Sequence, residues 1–202
     1  MADKPGTLDF AAQTRLVAHL ADHVRDIQLE DPTPCHDLAV RNLLGHLVQL
    51  SAAFRDAARK ELGPTTDTDP GAVTPDIEEG WRAELPKVLA ELAEAWRDPA
   101  AWEGETRAGG VTLPGEVAGQ VALNELVVHG WDLARSTGQS YAPDPESLAV
   151  SYALLDASRD PESRGDIFGP VVDVPDEAPL LERVIGLSGR APDWTPPVRP
   201  NA

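Results

Sequence analysis

The chain has 202 residues, 34 acidic against 17 basic, and a net charge of −17. A surface that negative repels phosphate backbones and anionic lipid, which excludes nucleic-acid or membrane-surface binding as the main activity. With 42% hydrophobic and 25% charged residues and one cysteine, Cys35, the chain is globular and relies on its core, with no intrachain disulfide and no Cys-rich zinc module.

Leu8, Phe10, Leu16, Val17, Leu20, Val24 and Ile27 recur at helical spacing and predict a first helix from Thr7, its N-cap, to about Gln28. The prolines of EDPTPC end it. A second helix is expected to begin between Asp37 and Val40 and to run to about Glu61. Its inward stripe is Leu43, Leu47, Leu50 and Phe54, with Arg55, Arg59 and Lys60 toward solvent. A polar connection over 63–74 follows. Trp81, Leu85, Val88, Leu89, Leu92 and Trp96 mark the buried face of a third helix, which starts at Pro75 or Asp76 and ends at Trp96. Pro86 is placed to kink it or split it.

Residues 98–115, rich in glycine, read as a structured loop. A fourth helix runs from about Glu116 to Thr137 and stops at Gly138. A fifth opens at Pro143 to Pro145 and passes through Leu148, Tyr152 and Leu155. Residues 166–176 are expected to be extended or looped, and a last short helix covers about 178–187. Four long amphipathic helices with two shorter ones behind them, and no strand–helix alternation, predict an all-α four-helix bundle with two short C-terminal helices. One domain over 1–190, with no second hydrophobic core, and a Pro-rich, frayed tail over 191–202 are expected. The opening MADKPGTLDF has no basic stretch followed by an apolar one, and no run approaches about 18 apolar residues, so a cytoplasmic protein is expected.

No G-x-G-x-x-G, phosphate-binding loop or G-x-S-x-G elbow is present. The histidines carry more information. His19 and His23 are four apart on the first helix, a chelating spacing, but the apolar stripe runs past them and a solvated face is the expectation. His36 sits in a turn. His46, in LLGHLV, lies on or beside the stripe of the second helix, where it reads either as a core histidine with one hydrogen bond or as a ligand. On the fourth helix Glu125 and His129 are four apart, so they rise about 6 Å and differ by about 40° around the axis. Their neighbours Val121, Leu126, Val128 and Leu133 are apolar. An ionised carboxylate there needs compensation by a cation, an arginine or a Glu–His hydrogen bond. With a third donor from another helix the pair makes a two-histidine, one-carboxylate set with open positions.

These residues also carry a resemblance. VRNLLGHLV around His46, ELVVHGWDLARSTGQ from Glu125 to Gln139 and FGPVVDVPDEAPLLERVIGLSGRAPDW from Phe168 to Trp194 resemble an actinobacterial metal-binding family of the DinB-like superfamily. That family is similar to the metal-binding domain of mycothiol-dependent maleylpyruvate isomerase. The resemblance implies a DinB-like four-helix bundle binding a divalent metal, commonly zinc or nickel. Its first histidine falls on His46, its acidic ligand on Glu125 and its second histidine on His129. Where the family has Pro-Cys-x-x-Trp, this chain has Pro34-Cys35-His36-Asp37-Leu38, with leucine replacing tryptophan.

Asp132 is expected either to orient the second ring nitrogen of His129 or to pair with Arg135 on the surface. Trp131 reads as cavity wall or plain packing, and Cys35 as an inert core thiol, with reach of the site as the alternative. The leading functional expectation is a metal-dependent enzyme that activates mycothiol, a similar small thiol, or water for transfer, isomerisation or hydrolysis of a small-molecule substrate. The alternatives are a non-catalytic metal or ligand carrier or sensor, and a helical scaffold in which Glu125 and His129 share a buried hydrogen bond. A monomer or homodimer is compatible with all three.

Overall fold

The computed structural model describes residues 8–36, 38–69, 71–160, 164 and 169–197. Thr7 and Asp37 lie outside them, as does part of the 166–176 stretch. Four long helices make the bundle: α1 (Ala11–Asp22), α2 (Val40–Arg59), α4 (Trp81–Ala95) and α5 (Gly115–Thr137). A single turn, α3 (Pro64–Asp67), follows α2, while α6 (Pro145–Ala157) and α7 (Leu180–Leu187) pack behind. Around the bundle α1 touches α4 and α5, and α2 touches the same two, so α1 and α2 face each other across a diagonal.

The inward stripes are those the spacing predicts. Leu43, Leu47, Leu85, Leu92 and Trp96 are wholly buried, and Leu50, Phe54, Trp81 and Val88 nearly so. Each such aliphatic side chain contributes roughly 1.5–3 kcal/mol on burial. A second, smaller core of Val127, Leu155, Val184 and Leu187 joins α5 to α6 and α7. It corrects the expectation of a single core: the C-terminal helices bury apolar surface against the outer side of α5.

Several boundaries differ from the sequence expectation, each for a tertiary reason. The first helix stops at Asp22 instead of reaching Gln28, and the chain forms a 3-10 turn over Asp26–Gln28 that leaves Ile27 exposed. Buried Gln28 accepts from Arg25 N at 3.1 Å and donates to the Thr137 carbonyl at 3.1 Å, an anchor to the end of α5 that a continued helix would lose. The third long helix begins at Trp81, not at Pro75 or Asp76. There Asn42 donates to the Pro75 carbonyl at 2.9 Å and Arg41 to Asp76 at 2.7 Å, holding 75–76 as a strap against α2. Pro86 lies inside α4 without splitting it.

The 98–115 loop contains a two-stranded antiparallel hairpin, β1 (Glu105–Ala108) and β2 (Val111–Pro114). Gly109 and Gly110, with φ of 58° and 77°, make the two-residue turn that such a hairpin needs. The tail is not frayed at its start, since Arg135 Nε donates to the Trp194 carbonyl at 3.1 Å. No helix among the described residues is long and apolar enough to cross a membrane.

Candidate metal centre

The helix stripes of α2 and α5 that close the bundle also set the site. His46 lies one turn after Leu43 and beside Leu47, so its ring leaves the edge of the α2 core face toward α5. Glu125 and His129 follow one another up the facing side of α5. The Nε2 atoms of His46 and His129 stand 3.6 and 3.1 Å from Glu125 Oε2, and the two imidazoles meet edge to face with centroids 4.7 Å apart. The three donor atoms all lie within 4.8 Å of one another. The Glu125 side chain keeps 22% exposure, so one side of the cluster stays open.

Around this trio the helix supplies its own support. Asp132, fully buried one turn after His129, accepts from His129 Nδ1 at 3.0 Å. Its partners are His129 and Arg190; Arg135 bonds the Trp194 carbonyl and lies 5.8 Å from the Trp131 ring centroid. Trp131 is itself 5% exposed. Burial opposes the charge on Glu125, but hydrogen bonds from His129 and His46 outweigh it and hold the carboxyl below the usual carboxylate range. Burial likewise disfavours an imidazolium at His129, yet the Asp132 and Glu125 hydrogen bonds prevail and push it up to about 9. In the metal-free protein these hydrogen bonds favour the protonated imidazole.

Two residues reach the site without a role assigned to them by spacing. Arg190, from the segment after α7, grips Asp132 with Nε to Oδ1 at 3.2 Å and Nη2 to Oδ2 at 2.9 Å. It lies in the segment GLSGRAPDW that shares the family resemblance but was given no role, and no local pattern distinguishes it from the other arginines. Cys35, in the loop ahead of α2, is half-buried and forms a second possible donor set with His129 and Asp132. Burial first, then the Asp132 charge, pushes its thiol up to about 11. The other histidines stay away: His19, His23 and His36 are exposed and belong to neither set among the described residues.

The chain is similar to several known proteins. The sequence model described as the mycothiol maleylpyruvate isomerase N-terminal domain matches residues 10–134. Two proteins of Mycobacterium tuberculosis, both carrying the name uncharacterized protein, one from strain CDC 1551 / Oshkosh and one from strain ATCC 25618 / H37Rv, are each 28% identical over 181 residues. Those alignments cover 89% of this chain and 93% of each relative. Among solved structures, a histidine-to-alanine mutant of mycothiol-dependent maleylpyruvate isomerase superposes with a TM-score of 0.64 at 18% identity, over 91% of this chain and 88% of that one. The unmutated isomerase gives 0.61 at 19% identity over the same shares. At those identities the likeness establishes the fold.

Proposed function

Since the chain belongs to the mycothiol maleylpyruvate isomerase N-terminal domain family, we propose that it is a divalent-metal enzyme using a small thiol on a small-molecule substrate. His46, Glu125 and His129 would hold the metal, zinc or nickel. The observation that carries this reading is the convergence of two imidazole Nε2 atoms on one carboxylate oxygen at 3.6 and 3.1 Å. Donors about 2.1 Å from a shared cation lie roughly 3–3.5 Å apart, so the residues fit such an ion. The charge count agrees. Glu125 and Asp132, both held below their ordinary pKa values, carry two negative charges against the one fixed positive charge of Arg190, which leaves a place for a further cation.

A bound divalent cation would supply Lewis acidity, lowering the pKa of a coordinated thiol or water. The rest falls to the chain itself. Asp132 holds the His129 proton on Nδ1 and leaves Nε2 as the donor. The bundle core around Leu47 and Leu126 walls the inner side against water. The Cys35 thiol, pushed up to about 11, stays protonated at neutral pH and is a poor nucleophile. The sulfur nucleophile is then brought in by the cofactor, mycothiol or a similar thiol. Transfer and isomerisation through thiol addition both suit that arrangement.

Elemental analysis of purified wild type beside His46→Ala, Glu125→Ala and His129→Ala is the test of the metal. About one zinc or nickel per chain in wild type and none in the variants supports it; equal metal in all four refutes it. Metal-loaded protein is then mixed with mycothiol and a panel of small electrophiles. Thiol-dependent turnover supports the enzyme, while bound metal with no thiol or electrophile consumed turns the protein into a carrier or sensor.

A further inference from the structure

His129 belongs to two overlapping donor sets. One joins it to His46 and Glu125, the other to Cys35 and Asp132. Two sets on one ring compete for an ion, and the second contains the sulfur that zinc-type metals favour. Something must decide between them. The Arg190 guanidinium is placed to do so: it takes both Asp132 oxygens, at 3.2 and 2.9 Å, and its remaining nitrogen donates to the Ser188 carbonyl at 3.1 Å. Its charge also acts on the Cys35 thiol, opposing the upward push of burial.

We propose that Arg190 is a positioning residue that selects the ligand set: its guanidinium holds the cation place between Asp132 and Cys35, fixes the His129 proton on Nδ1, and so confines a metal to His46, Glu125 and His129. The inference rests on the metal reading above and goes beyond it, because Arg190 lies outside residues 10–134, where the family match ends. An arginine suits the task, since its planar fork matches a carboxylate and its charge is permanent. Asp132 is wholly buried and the Arg190 side chain 14% exposed, so the pair is shielded from solvent screening.

The backbone behind Arg190 is built to aim it. After α7, Gly189 adopts φ +87° and donates to the Gly186 carbonyl at 3.0 Å, and Arg190 N donates to the Ile185 carbonyl at 3.1 Å. These two bonds form the Schellman end of a helix, for which glycine is the favoured residue. A Cβ on Gly189 would also come within 3.0 Å of the Gly169 backbone. The turn sends the chain back toward α5 and delivers the guanidinium onto Asp132. The C-terminal helices thereby complete a site whose donors all lie elsewhere.

Cobalt(II) is the probe, because a cobalt–thiolate bond gives a near-ultraviolet charge-transfer band that imidazole and carboxylate ligands do not. Wild type, Arg190→Met, Arg190→Lys and the double variant Arg190→Met with Cys35→Ser are titrated and their folding is checked by circular dichroism. Wild type is expected to bind one ion without the band. Arg190→Met is expected to show the band and to bind about 10–100-fold more weakly at the His46 set. Cys35→Ser then abolishes the band, and Arg190→Lys, which keeps the charge, suppresses it. If Arg190→Met does not fold, Arg190→Gln is read in the same way. Wild-type affinity without the band in the charge-free variant overturns the inference alone. No cobalt bound by wild type overturns the metal reading and this inference together.

Discussion

His19 and His23 on α1 share a four-residue spacing with Glu125 and His129 on α5, yet the two pairs occupy opposite environments. The α1 pair is exposed, its rings 4.2 Å apart, with His23 Nδ1 donating to the His19 carbonyl at 2.8 Å. No third donor joins it among the described residues. The α5 pair is walled by α2, receives His46 from that helix, and has Asp132 and Arg190 fixing its outer edge. Helical spacing thus supplies two donors anywhere on a helix. Burial makes their charges costly, and a neighbouring helix adds the third donor that makes the α5 cluster a candidate binding site.

The largest effect should come from removing a donor. His129→Ala or Glu125→Ala is expected to weaken zinc binding by more than about a hundredfold, beyond what loss of a supporting residue alone causes. His23→Ala should leave the isotherm unchanged. Equal losses in the two pairs, by isothermal titration calorimetry, would erase the contrast between them.

Stability should follow. Zinc at a hundred times its Kd is expected to stabilise wild type by about 2.7 kcal/mol, seen as a rise in Tm, and to leave His46→Ala unshifted. A rise of the same size in that variant would move the site elsewhere.

The pH dependence sharpens the comparison further. His129 has a folded value of about 9, above the ordinary 6.5. In the metal-free protein its protonation stabilises the fold fully below pH 6.5, and that contribution is lost as pH rises through 9. Zinc must displace the same proton, so its affinity rises over that window and binding at pH 7 releases about one proton. Calorimetry in buffers of different ionisation enthalpy counts that proton; none released would contradict the hydrogen-bonded pair. The smallest effect belongs to the α1 pair, where His23→Ala should change unfolding free energy by no more than about 0.5 kcal/mol in a urea titration.

Much of this arrangement is legible in the residues. Trp81, Leu85, Val88, Leu89, Leu92 and Trp96 announce a helix face wherever that helix begins, because a 3.6-residue period survives any end effect. The placement of Glu125 and His129 on one side of α5 follows from the same arithmetic. The hairpin had a signal that the glycine-rich reading passed over: Gly109-Gly110 between Thr106 and Val111 is a two-residue turn flanked by strand-forming residues. The helix starts misjudged at Trp81 and the early stop at Asp22 left no comparable mark, since Asn42, Arg41 and Thr137, which decide them, are remote in sequence.

The sequence by itself determined the inward faces of the helices and the pairing of Glu125 with His129, because each depends on residues within a turn or two of one another; the family was legible from segments spread along the chain. Only the tertiary structure decided how closely His46 meets that pair, that Asp132 turns to Arg190 instead of Arg135, and that Cys35 comes beside His129 and Asp132. Those meetings join side chains from α2, α5 and two separate loops. Their distances are set by how helices pack around a shared core, a property that no local spacing encodes.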